Sequence, residues 1–174
     1  MHVYPRAAGI TVLAALFITT SGTAGTPAAA PPPVPATVAP AATVLPSSVT
    51  DQVLTLVNTE RRKAGCAPVR LDPRLNAAAL AHSRQMADRN FFSHTSPDGA
   101  TFADRVKAQG YPRPRSENIA AGNTTAQATM RQWMNSPGHR ANILDCRAKD
   151  MGVGAASQPG STYRTYWTQD FGLG

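Results

Sequence analysis

Three side chains of this sequence combine a reactive type with a motif-like setting. His94 stands in Phe-Phe-Ser-His, Glu117 in Ser-Glu-Asn-Ile, and His139 in Asn-Ser-Pro-Gly-His-Arg. Imidazoles and carboxylates exchange protons near neutral pH, orient one another by hydrogen bonding, or ligate divalent ions. A fourth feature, Tyr166-Trp167-Thr168-Gln169, adds a phenol on a strand-like run. Spacing alone does not choose among these chemistries. No HExxH motif, nucleophile elbow, P-loop or dinucleotide fingerprint is present. His82 falls on an apolar helical stripe and reads as a core histidine.

These residues need elements to position them. A first helix begins at Ser48 or Thr50, carries Val53, Leu54 and Val57, and stops at Gly65; its Arg61-Arg62-Lys63 run suits a helix C-terminus. Asp72 and Pro73 open a second helix with Leu75, Ala79, His82 and Met86 on one stripe. The run 91–99 is turn-rich. Thr101 and Asp104 resemble a capping box for a short helix ending near Gly110. Pro112 and Pro114 make 111–115 an extended connection. A fourth helix runs from Thr125 to Asn135, with Ala126, Met130, Trp133 and Met134 on its apolar face, and Pro137-Gly138 breaks it. A closing hairpin pairs 151–157 with 161–171 around Gln158-Pro159-Gly160. The pattern is α+β, with helices packed on an antiparallel sheet.

The chain has 174 residues and a formal net charge of +7. No Lys, Arg, Asp or Glu lies between Arg6 and Asp51, so the charge belongs to the second part. Residues 1–24 read as a secretory signal: Arg6, then an apolar core, then Gly22-Thr23-Ala24 as a small-residue cleavage site. Residues 25–48 read as a Pro/Ala-rich linker, since Pro31-Pro32-Pro33 and Pro35 disfavour helix and deprive strands of donors. The remaining 49–174 make one domain, and a secreted or envelope-associated location follows. No integral span is expected after signal cleavage, and a monomer is expected.

Cys66 and Cys146 are the two cysteines of the chain. They are too far apart for a CxxC motif, and in an oxidising compartment a disulfide is the natural reading. The alternative is two unpaired buried thiols. Closing a loop of about 80 residues would stabilise by roughly 4–5 kcal/mol in the chain-entropy model.

Taken in order, Phe-Phe-Ser-His (91–94), Ser-Pro-Asp-Gly (96–99), Glu-Asn-Ile (117–119), Trp-Met-Asn-Ser-Pro-Gly-His-Arg (133–140), Gly-Val-Gly (152–154) and Tyr-Trp-Thr-Gln-Asp-Phe-Gly (166–172) resemble the bacterial SCP-like branch of the CAP superfamily, which takes its name from cysteine-rich secretory, antigen 5 and pathogenesis-related-one proteins. The resemblance spans about 50–172. It implies a three-layer α-β-α sandwich with a central antiparallel sheet. Animal and plant members carry a cleft tetrad of two His and two Glu. By the matching motifs His94 and Glu117 occupy two of those places, while Ser136 and Tyr166 stand where the second Glu and second His would be. His139 lies three residues beyond Ser136 and could turn into the same cleft.

With half the tetrad kept, no cofactor is expected; a divalent ion such as Zn²⁺ on His94 and Glu117 is the speculative alternative, because a neutral phenol is a poor ligand. The expected function is a non-catalytic binding module for a lipid, a small ligand or an envelope component in a cleft near His94 and Glu117. One alternative is an extracellular hydrolase or protease using Glu117 or His94 as general base; no catalytic residue is assigned. Another is a structural envelope protein. Arg105, Lys107, Arg113 and Arg115 read as a basic rim facing an anionic envelope polymer, and nucleic acid is not an expected partner.

Overall fold

The computed structural model describes residues 43–44 and 47–174. The expected signal peptide and most of the expected linker lie outside the described residues. Within the last part of that linker, Thr43–Val44 (β1) pairs antiparallel with Ser157 and Ala156, and helix α1 (Ser47–Lys63) begins. Two β-branched residues thus extend the domain along a free strand edge.

Then follow β2 (Arg70–Leu71), α2 (Pro73–Arg89), α3 (Phe102–Ala108), β3 (Pro114–Ala121), α4 (Ala126–Met134), α5 (Pro137–Ile143), β4 (Asp150–Ser157) and β5 (Thr165–Gly172). The sheet order is β1-β4-β5-β3, and β2 joins β4 in parallel. All other pairings are antiparallel, so the sheet is mixed by one short strand.

Helix signals read from sequence are realised closely. Asp72 accepts from the Arg74 amide and Pro73 takes the first turn of α2, where its missing N–H costs nothing. Thr101 and Asp104 form the reciprocal capping box of α3. Pro137 does end α4, but it also starts α5, which the sequence reading did not contain; proline is well placed at a first helical position. The extended connection expected over 111–115 runs at Pro114 into strand β3, and residues 116–121, for which no element was expected, complete that strand. Residues 161–164 turn rather than extend, with Arg164 at φ 63, and β5 starts at Thr165.

Helices cover both faces of the sheet. On one face Val53, Val57, Met130, Trp133 and Ile143 pack against Met151, Val153, Trp167 and Phe171. On the other, Met86 and Ala87 of α2 meet Ile119, Ala156 and Tyr166. This is why every residue of β5 is buried. Gly152 and Gly154 face α2, and a Cβ at either would overlap the backbone at Leu75 or Leu80. The second helix lies directly on a bare strip of strand.

Cys66 and Cys146 form a disulfide. Beside it the fully buried Arg61 donates to the carbonyls of Ala67, Ile143, Asp145 and Ala148. The expected helix-end cation is therefore an interior bracket tying α1 to the chain that enters β4. Among the described residues no helix is long and apolar enough to cross a membrane.

Candidate functional site

Glu117 lies on β3 with its side chain 1% exposed. Two cations or potential cations hold its carboxylate. His94 Nδ1 is 2.7 Å from Oε1, and Arg105 Nη2 donates to Oε2 at 2.6 Å. The carboxylate cannot donate, so Nδ1 carries the proton. The other ring nitrogen of a neutral His94, Nε2, is then an acceptor. His94 is 54% exposed and makes no hydrogen bond through Nε2 among the described residues. The arrangement is an outward imidazole backed by an inward carboxylate.

Arg105 belongs inside this arrangement, not on a basic rim. Its side chain is 12% exposed. Nη1 bonds the His94 carbonyl, Ser96 Oγ and the Ala100 carbonyl, so one guanidinium fixes the loop bearing His94 and the carboxylate that orients it. His139, in α5, is half-buried, and its Nδ1 is buried without a partner among the described residues. Burial first, then nearby His94, hold its pKa below the ordinary imidazole value. Asn118 fixes this junction by donating to Gln169 Oε1 and the His139 carbonyl, while Asn142 donates to Asn118 Oδ1 and the Glu117 carbonyl.

Residues 54–171 match the CAP model, the cysteine-rich secretory protein family. The chain belongs to the CAP family. It is 40% identical over 133 residues to YkwD of Bacillus subtilis, covering 74% of this chain and 50% of that protein. It is 34% identical over 122 residues to the membrane protein YlbC of the same organism, covering 69% of this chain and 33% of YlbC. The chain thus spans half or less of the curated relatives it matches. Among solved structures it resembles an extracellular SCP-domain protein of Bacillus anthracis, with TM-score 0.65 and 30% identity, covering 73% of this chain and 41% of the other. An outer surface protein of Borrelia burgdorferi shares the fold, with TM-score 0.66 at 16% identity, covering 75% of this chain and 97% of the other.

In this CAP domain the tetrad-like positions separate. His94 and Glu117 are joined, and His139 comes within electrostatic reach. Tyr166 is fully buried, its hydroxyl 3.4 Å from Asn90 Oδ1, and the residue it opposes on β3 is Ala121. The residue opposite Glu117 is Asp170. Ser136 caps α5 without a side-chain cap bond and makes no hydrogen bond to His94, Glu117 or His139.

Asp170 was not anticipated, although a lone acid inside Tyr-Trp-Thr-Gln-Asp-Phe-Gly was a visible signal. It is 2% exposed, its other neighbour in the sheet is Gly152, and its Oδ1 has no partner among the described residues. Burial, then the charge of Glu117, push its pKa well above the carboxylate range. His82 lies under the same region, 1% exposed, with Nε2 against the Ser93 carbonyl at 2.9 Å. Burial, then Arg105, lower its pKa.

The donor set does not fit a resident Zn²⁺. His94 and Glu117 engage each other, Arg105 occupies the second carboxylate oxygen, and a cation there would face a guanidinium. Among the described residues no group of three or more His, Cys, Asp or Glu could hold a metal ion. Zinc sites draw three or four protein ligands. A cavity of about 370 Å³ bounded by Met134, Pro137, Arg140 and Leu144 lies at the α4–α5 junction, and none of these residues belongs to the His94–Glu117 pair.

Proposed function

We propose that this chain is an extracellular CAP-domain binding module, and that its ligand meets the exposed face of His94. One observation carries the reading: Glu117 and Arg105 fix the imidazole while leaving Nε2 free to accept a hydrogen bond. A hydroxyl-bearing head group or sugar suits such an acceptor. The loop of His94 also carries exposed Phe92, whose ring lies 5.7 Å from that of exposed Tyr163. Exposed aromatic rings favour a ligand with an apolar side, such as a lipid or glycan.

The test is an unbiased pull-down of lipids and envelope fragments on the chain, compared with His94→Ala. A ligand class retained by the wild type and lost in a folded variant supports the reading. An identical profile for both proteins removes it. A second reading, hydrolysis, draws on the same pair, since an imidazole backed by a carboxylate is suited to take a proton from water. It predicts a reaction product in that pull-down mixture that Glu117→Gln does not form.

A further inference from the structure

A second charged surface lies where β5 finishes, two residues beyond Asp170. Four strands bring their ends together there, because Arg70 pairs with Asp150, and Asp150 and Pro114 both pair with Gly172. The junction is strongly cationic. Among the described residues Arg70, Arg74, Arg113, Arg115, Arg147 and Lys149 gather around Asp72, Asp145 and Asp150, a side-chain excess of three positive charges. At strand spacings of about 4.8 Å, the row from β2 to β3 is roughly 15 Å long.

Several of these cations are held in place. Arg70 Nε bonds Asp150 Oδ1 at 2.7 Å, and Asp150 is itself anchored by the Tyr111 hydroxyl at 2.8 Å. Arg115 Nε and Arg147 Nε take opposite oxygens of Asp145 at 2.6 and 2.9 Å. These pairs use the Nε side, so both Nη groups of Arg70 and of Arg115 make no hydrogen bond among the described residues. Arg113, just before β3, and Lys149, just before β4, are exposed and make no ion pair with an Asp or Glu side chain among the described residues; Arg113 donates to the Gly174 backbone oxygen. A guanidinium anchored at Nε with its Nη edge free is set to take a tetrahedral or planar oxyanion without first losing rotamer freedom.

We propose that this end of the sheet is a docking strip for a linear phosphate-bearing polyanion. A row of separated charges matches successive phosphates along a chain better than it matches one small anion. The strip shares no residue with the His94 face, and the proposal does not depend on what that face binds.

The test is titration of the full chain with inorganic polyphosphate over a range of salt concentrations. Arg113→Gln/Lys149→Gln removes two cations that pair with no Asp or Glu side chain among the described residues. Arg62→Gln/Arg131→Gln removes the same charge from α1 and α4 and serves as the control. The strip variant should bind about tenfold more weakly at low salt, with a salt slope lower by roughly one to two; the control should stay within about twofold. Equal losses in both variants would reduce the effect to net charge and overturn the proposal. So would a wild type that does not bind polyphosphate at low salt, or binding that is indifferent to salt. His94→Ala should leave this titration unchanged, which separates the two surfaces.

Discussion

Arg105 and Glu117 meet at 2.6 Å, and through that contact a short helix and an edge strand together set the position of an exposed histidine. Arg105→Met would leave the buried carboxylate of Glu117 facing Asp170 with His94 as its one remaining basic partner among the described residues. Removing one partner of a buried ion pair costs about 3–5 kcal/mol. Chemical denaturation should show a loss of that size, and Arg105→Lys should recover only part of it, because an ammonium cannot reach the loop carbonyls and the carboxylate in one plane. A loss under about 1 kcal/mol would mean the pair is solvated in solution.

Glu117→Gln tests the same centre from the acceptor side. A carboxylate accepts from both Arg105 and His94; an amide must turn its NH₂ toward one of them. The variant should lose about 1–3 kcal/mol, the cost of an unsatisfied buried group, and amide exchange in 91–100 should quicken. An unchanged melting temperature would show that Glu117 is not a structural pin and would turn attention to catalysis.

The legible part of this site was the part carried by local pattern. The Thr101–Asp104 box, the Asp72–Pro73 start and the helical stripe ending at Met86 are set by neighbours in sequence, so they could be read one segment at a time. Glu117 was recognisable from its motif, but its strand was not, because Pro112 and Pro114 signal a connection while the pairing of 114–121 with β5 is a long-range event. Arg105 read as a surface cation for a similar reason. Nothing within its own helix announces that it points toward Glu117. Arg61 misled likewise: a helix-end cation by sequence is an interior donor to four carbonyls once the chain before β4 folds over it.

Stability should carry an unusual pH signature. The Asp170 pKa is raised on folding, so the native state holds a proton that the unfolded state releases above about pH 4. Its contribution is fully present below that pH and declines as pH rises through the native pKa. His82 and His139 act oppositely: their native pKa values are lowered, so their contribution is full above about pH 6.5 and is lost as pH falls below it. Asp170→Asn keeps the neutral form's shape. Measured by urea denaturation, the wild type should lose ground to this variant steadily as pH rises above about 4. Parallel pH profiles would show that Asp170 ionises normally.

The disulfide and Arg61 bind the same two chain segments, so their effects should not add. Cys66→Ser/Cys146→Ser should cost roughly 4–5 kcal/mol in the chain-entropy model. Arg61→Met leaves interior carbonyls without their donor and should cost several kcal/mol alone. In the combined variant, denaturation should show a coupling energy of about 0.5–3 kcal/mol, because each bracket works on a loop the other already restrains. Strict additivity would show that the two restrain different motions.

Gly-Val-Gly at 152–154 offers the sharpest steric test. Val153 faces the core shared with Trp133 and Trp167, whereas the two glycines face α2 with no room for a methyl group. The obstruction is helix backbone, which cannot rotate away as a side chain would. Gly154→Ala should therefore cost at least about 1–3 kcal/mol by overpacking, despite adding one carbon and a better strand propensity. The helix would have to move off the strand, and His82 and Ser83 ride on that helix, with Ser83 Oγ bonded to the Gly154 carbonyl and to Thr168. Thermal melting would register the loss, and an NMR shift of the His82 ring would register the movement. A variant as stable as the wild type would mean that α2 sits farther from the sheet than the close packing at Gly154 requires.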